Sequence, residues 1–451
     1  MFDQHRVRQV VVCAFMLVVV SVLIRATGDP VDPGTRGGVP GAGGKIASLT
    51  LKEAKFFDSG LDSFEEVSSA TGSVAGTEPG LGPRFNLNSC AGCHAHPAVG
   101  GSSPAVNPQV SVGPPGQVSV LIGLNIISPT GPVREVRFST DGGVHDLFTI
   151  AGLPGAPAAC NNILQPDFTS NFDLLRFRIP TPVFGAGLIE AIPDATIAAN
   201  VVSGKAFGVT GHENRNGNDG TITRFGWKAQ NKSLAIFSGE AYNVEQGITN
   251  ELFPDERGEA GVQDAAACHQ AVTSPQDTVS YELTQPQKVI EDVSNFSNFM
   301  RFLAAPVQVS SYPGASAAQI IGGEAAFNKA GCNICHKKSM QTGNHANAAL
   351  RNKAVNLFSD LLVHDIGTGD GIAQGTASGA EFRTAPLWGV GQRLFFLHGG
   401  SASNLVDAIN AHGGEASRVT NNFKGISTGA DAPFNLTPTE QQNLVLFLRS
   451  L

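Results

Sequence analysis

Cys90-Ala91-Gly92-Cys93-His94 and Cys332-Asn333-Ile334-Cys335-His336 are one pattern written twice, C-x-x-C-H. Two thiols with two residues between them can meet one edge of a porphyrin and add across its vinyl groups. A histidine directly after them lies where its imidazole reaches the iron. A bare C-x-x-C also suits a redox disulfide or half of a zinc site. A zinc site would bring its two pairs close together in sequence. These pairs stand far apart, and each carries the trailing histidine. The pattern therefore reads as two covalently attached c-type haems, with His94 and His336 as the first axial ligands.

The surroundings agree. The 451 residues suffice for two or three domains with real cores. Charged residues make up only 15%, and Gly (53) and Pro (26) are abundant. That composition describes a loop-rich protein wrapped around something large. A net charge of −8 and the lack of any basic block exclude nucleic-acid binding. At the N-terminus, His5, Arg6 and Arg8 precede an apolar run over residues 10–24 that contains Cys13. The run suits a signal segment and is short for a membrane span. Arg25 follows it directly, without a clean cleavage site, so residues 1–28 read as a signal peptide or an uncleaved anchor. Either places the body outside the cytoplasm, where c-type haem is assembled. Of the seven cysteines, Cys13 and the four in the motifs leave Cys160 and Cys268. In an oxidising compartment the remaining two read as a disulfide, with two free buried thiols as the alternative.

Residues 29–45 are rich in Gly and Pro and read as a flexible linker. Residues 47–66 have helical spacing. Four runs, 110–112, 118–127, 133–138 and 174–179, read as strands punctuated by Gly and Pro. His145, among them, reads as a surface histidine. Residues 180–194 read as a loop against haem, 233–244 as a helix, and 289–303 as a one-sided helix ending near Pro306. Residues 317–329 lead as a helix into Cys332, and 438–451 close the chain, with Thr437 as N-cap. A helix before C-x-x-C-H and a closing helix packed on it is the small cytochrome c layout. The fold expected is mainly α, with two cytochrome c-like haem domains, 46–310 and 311–451. The first carries a β-rich insertion at about 100–225.

The stretches GLGPRFNLNSCAGCH, RIPTPVFGAGLIEAIPD, RFGWKAQNKSL, VEQGITNELFP, FMRFLAAP, GCNICH, FSDLLVHDIG, FRTAPLWGVG and LHGGSASNLVDAINAHGGEA resemble those of bacterial di-haem oxidoreductases of peroxidase type. These are also known as thiol oxidoreductases and are similar to the di-haem cytochrome c peroxidases. The resemblance runs from about Leu51 to the C-terminus. It implies that Glu245 stands where peroxidases place a distal glutamate, Glu240 where they tend to have a glutamine, and Trp227 where a tryptophan lies between the haems. Glu190 is a further carboxylate candidate. Thiol oxidation has no residue support beyond Cys160 and Cys268.

The sixth ligand decides whether a haem iron carries electrons or does chemistry. For the second haem, Met340 and His345 are too close to His336 to cross the porphyrin. His412 follows a helix-like stretch where related peroxidases carry methionine. The expected pair is His336 and His412, with His364 as runner-up; His364 and His398 otherwise read as hydrogen-bonding groups. Histidine in place of methionine lowers the potential. Around the first haem, residues 97–110 hold no histidine or methionine, and His96 is too near His94 to reach the far face. That iron reads as open. The expected activity is electron flow from the C-terminal haem to the N-terminal one, which reduces a small oxidant such as hydrogen peroxide. The donor would be a small periplasmic cytochrome or cupredoxin, and the family leaves open a calcium ion between the domains. The rival readings are an electron carrier with both irons six-coordinate, and an oxygenase acting on an organic substrate.

Overall fold

Thr50 starts the first helix. Its hydroxyl accepts from Glu53 N while the Glu53 carboxylate accepts from Thr50 N, a reciprocal cap that fixes Leu51–Glu65. Ser316 and Gln319 repeat the device for Ala317–Ala330, and Thr437 and Glu440 for Pro438–Ser450, where Pro438 takes the first helical position. A computed structural model describes residues 28–202, 205–259, 268, 276–278 and 291–451. The signal or anchor stretch lies outside the described residues, save for Gly28.

Each C-x-x-C-H is framed by a leading and a closing helix. Leu51–Glu65 packs on Asp292–Phe302, and Ala317–Ala330 packs on Pro438–Ser450. Both crossings hinge on a glycine. A Cβ at Gly60 would lie 2.4 Å from Asn295 O, and one at Gly323 would lie 2.0 Å from Asn443 O. Aromatic rings fill the crossings, Phe64 on Phe299 at 4.6 Å and Phe327 on Phe447 at 5.4 Å. The two halves are not sealed from each other: Met340, Leu357, Leu361, Leu362 and Trp388 from the second half join the core of the first. Among the described residues no helix is long and apolar enough to cross a membrane.

The insertion departs from the strand-rich expectation. Residues 110–112 fall in the helical turn Gln109–Val112, and much of 118–127 falls in the helix Pro115–Gly123. Pro115 is preset for a first turn. Val118 and Leu121, three apart, are buried, while Val120 and Ile122 are 42% and 43% exposed. That is a helical face, where a strand would have put Val118, Val120 and Ile122 together. The other two runs do pair. Glu135–Phe138 lies antiparallel to Leu175–Arg178, with Val136 opposite Phe177. The insertion has its own core around Phe85, Phe148 and Leu121, and the buried Cys160–Cys268 disulfide sits in it. His145 is not at the surface: it is buried, stacked on Phe138, and held between Asp141 and Glu259.

The Gly/Pro-rich segment is docked along its length rather than flexible. Asp32 takes both Arg449 Nε and Nη2 (2.8 and 2.6 Å), and Arg36 N donates to Gly391 O at 2.8 Å. The strap then reaches the first domain, where Ala304 N donates to Gly44 O at 2.9 Å and Ile46 N to Phe302 O at 2.7 Å.

Candidate haem cavities

Both motifs hold their histidine in one way. In each, the histidine N–H donates to the first cysteine's carbonyl at 3.0 Å. His94 Nδ1 lies 3.0 Å from Gly101 O, and His336 Nδ1 lies 3.0 Å from Phe358 O. A carbonyl there keeps the proton on Nδ1 and the lone pair on Nε2, the tautomer a metal takes. Burial lowers both imidazoles to about 4, so each is neutral at physiological pH. Cys90, Cys93, Cys332 and Cys335 form no disulfide. Each motif opens on a cavity lined mainly by apolar side chains. Two thiols, a neutral ring with Nε2 unprotonated and an adjoining cavity fit a haem at each site.

The second cavity brings His336 and His412 together. They are near enough that His412 helps to depress His336, after burial itself. His412 Nδ1 gives its proton to Ala408 O at 2.7 Å, which again leaves the lone pair on Nε2. The runner-up, His364, has both ring nitrogens engaged by carboxylates. Its Nε2 is 3.1 Å from Asp360 and its Nδ1 is 3.1 Å from Glu415. Burial alone would lower it, but Asp360, Cys335 and Glu415 raise it to about 12, so both nitrogens carry protons. His398 stacks on Phe382 at 4.0 Å. Met340 Sδ accepts from Asn200 Nδ2, and His345 Nδ1 accepts from Asn347 N. Among the described residues, Cys335, Asp360 and His364 alone have metal-like spacing. They are not a calcium set, which takes six to eight oxygens.

The first cavity is built differently. Among the described residues His94 is its one lining histidine, and its one methionine, Met300, belongs with Phe296 and Phe64, the ring beside His94. His96 turns away to Gln392 O, 2.7 Å off. Glu135, Glu240 and Glu245 line the cavity with Arg137. Burial, then the charges of Glu135 and Asp146, push Glu245 well above the usual carboxylate range, which favours its protonated form. Glu240 accepts from Asn231 Nδ2, and Arg137 pairs with Glu135 and donates to Gly142 O at 2.8 Å. Glu135 and Arg137 were not singled out from the sequence. The signal was there in their strand, where they alternate with the buried Val136 and Phe138. Glu190 is not in this wall. It accepts from Leu234 N and Arg301 Nε, both at 2.9 Å, and ties two helices together.

Trp227 lines both cavities. Its Nε1 donates to Ile179 O at 2.8 Å, and its ring meets His398 edge-on at 6.4 Å.

No curated protein sequence matches the chain. Several solved structures are similar at low identity. Hydrazine synthase of Kuenenia stuttgartiensis is 15% identical, with 94% of this chain and 96% of that one covered and a TM-score of 0.38. The diheme peroxidase BthA of Burkholderia thailandensis is 13% identical, with 94% of each chain covered and a TM-score of 0.38. A MauG-like protein associated with microbial copper homeostasis is 16% identical, with 60% of this chain and 90% of that one covered and a TM-score of 0.28. The model of the family described as "Di-haem oxidoreductase, putative peroxidase" matches residues 159–451, a span that holds the second motif, His412 and Trp227. The chain belongs to that family of di-haem oxidoreductases.

Proposed function

We propose that the protein is an extracytoplasmic peroxidase with two covalently attached haems, taking electrons at the C-terminal haem and reducing hydrogen peroxide, or a similar small oxidant, at the N-terminal one. The asymmetry of the cavities carries this reading. The second offers His412 in addition to His336; among the described residues the first offers no second histidine and instead Glu245, which burial biases toward its protonated form, beside Arg137. Haem bound in these cavities would supply the redox chemistry of H2O2 + 2 e− + 2 H+ → 2 H2O, with the two electrons coming from the donor. The side chains supply the rest. Cys90 and Cys93 would hold one haem and Cys332 and Cys335 the other, and His94, His336 and His412 would be the histidines that bind iron. Glu245 holds the proton that the departing oxygen needs, Glu240 orients the polar wall through Asn231, and Arg137 stabilises negative charge as the O–O bond breaks. Trp227 bridges the two cavities as the electron path. The donor is a small cytochrome or cupredoxin.

EPR and visible spectra of the oxidised and half-reduced holoprotein test this. One high-spin haem whose signal is lost on adding peroxide is expected. Two low-spin haems in both states, indifferent to peroxide, would make the protein an electron carrier. Glu245→Gln should leave the resting spectra unchanged and lower peroxide turnover by roughly 10²–10⁴-fold, the usual worth of a general acid.

A further inference from the structure

Arg383 and Arg393 lie where the second cavity approaches Trp227. Arg383 is held from behind, its Nε donating to Gly226 O at 3.1 Å and its backbone N to Trp227 O at 2.8 Å. The Arg393 guanidinium sits 5.9 Å from the Trp227 ring. Three of their buried nitrogens, Arg383 Nη1 and Arg393 Nε and Nη2, have no hydrogen-bond partner. Among the described residues neither side chain has an ion pair. Burial, and for Arg383 also the charge of Arg393, pull both guanidiniums down to about 10. They still carry their charge at neutral pH. Two adjacent buried cations with unpaired donors are costly unless an anion reaches them.

The cavity that they line belongs to the second motif. A haem tethered there through Cys332 and Cys335 has its vinyl edge at those sulfurs, and its only anionic groups, two propionate carboxylates, are on another edge. Guanidinium forks match carboxylates bidentately. Resting on the haem assignment above, we infer that Arg383 and Arg393 form a carboxylate clamp for the propionates of the C-terminal haem and hold that edge against Trp227. They are positioning residues. The clamp anchors the propionate edge that the thiol tether leaves free, and its positive charge favours the reduced C-terminal haem.

Potentiometric titration of the di-haem protein, without peroxide, tests the clamp. Removing a nearby positive charge disfavours the reduced state. Arg393→Gln and Arg383→Gln should each shift the electron-sharing constant between the haems about tenfold toward the N-terminal haem. For a one-electron couple that is 59 mV. Arg393→Lys and Arg383→Lys keep the charge and should shift it by less than half as much on the logarithmic scale, yet move the propionate bending band in resonance Raman. Should a glutamine variant fail to take up haem, that band in the lysine variants decides. Unchanged potentials in the glutamine variants, or an unmoved band in both lysine variants, overturns the clamp. So does a wild-type potential that responds to inorganic phosphate when that of Arg383→Gln/Arg393→Gln does not, because the pair would then hold a soluble anion. Potentials that shift as expected in a protein inert to peroxide would sink the peroxidase reading and leave the clamp standing.

Discussion

His412 gives its Nδ1 proton to Ala408 O and turns its unprotonated Nε2 side to the cavity that it shares with His336. His412→Ala should convert one low-spin haem to high-spin. His412→Met should restore the low-spin state at a higher potential, because a thioether favours the reduced iron. An unchanged visible spectrum in His412→Ala would remove it as a ligand. Glu415 makes a pH prediction. Burial would raise its carboxyl, but His364 and the Thr210 and Asp365 N–H groups outweigh burial and hold it at about 2, below the ordinary 4.5. A depressed carboxylate stabilises the fold above the higher value, and that stability is lost as pH falls toward the lower one. The urea midpoint of the holoprotein should therefore drop between about pH 4.5 and 2, and drop less in Glu415→Gln; parallel profiles would rule this out. His412 could be singled out in the sequence because it follows a helix at the position where related peroxidases carry a methionine. Arg383 and Arg393 were not, because an arginine's meaning here depends on having no partner, which only the packed chain shows.

At the scale of elements, the two halves of the chain repeat one kind of helix crossing. The leading and closing helices cross where Gly60 meets Asn295 and where Gly323 meets Asn443. A methyl group at either position would overlap a backbone oxygen that cannot swing aside. Gly60→Ala and Gly323→Ala should each destabilise the holoprotein by about 1–3 kcal/mol in urea unfolding, as overpacking does. Gly116→Ala is the control: nothing lies within 4 Å of its Cβ, so relief of glycine's helix penalty should leave stability equal or higher. Equal losses at all three positions would mean that the crossings are not special. The capped helices at Thr50, Ser316 and Thr437 could be read in advance because capping is local. The misread run at 118–127 shows the limit. Val118, Val120, Leu121 and Ile122 fit either period, and the choice was made by Pro115 and by which side chains the insertion core could accept.

At the scale of the molecule, the strap ties the closing helices of the two halves together. Asp32 grips Arg449 on one, and Gly44 and Ile46 bond to the end of the other at Ala304 and Phe302. Composition suggested a free tether, because abundant Gly and Pro report the freedom of the unfolded chain. It says nothing of whether a few polar anchors find partners, and Asp32 and Arg36 do. The Asp32 and Arg449 side chains are 3% and 1% exposed. Breaking a buried pair from one side leaves a charge stranded, at a cost of about 3–5 kcal/mol. Asp32→Ala should therefore lower the stability of the holoprotein by that much. Asp32→Asn/Arg449→Met, which removes both charges, should lose less than the single variant. Because the strap spans both domains, Asp32→Ala should also slow electron exchange between the haems in flash-reduction measurements, while the spectrum of each haem stays native. A loss of stability with unchanged inter-haem kinetics would make the strap a brace for the second domain alone. Slowed exchange would make the separation of the two cavities across Trp227 a property of the whole chain rather than of either haem domain.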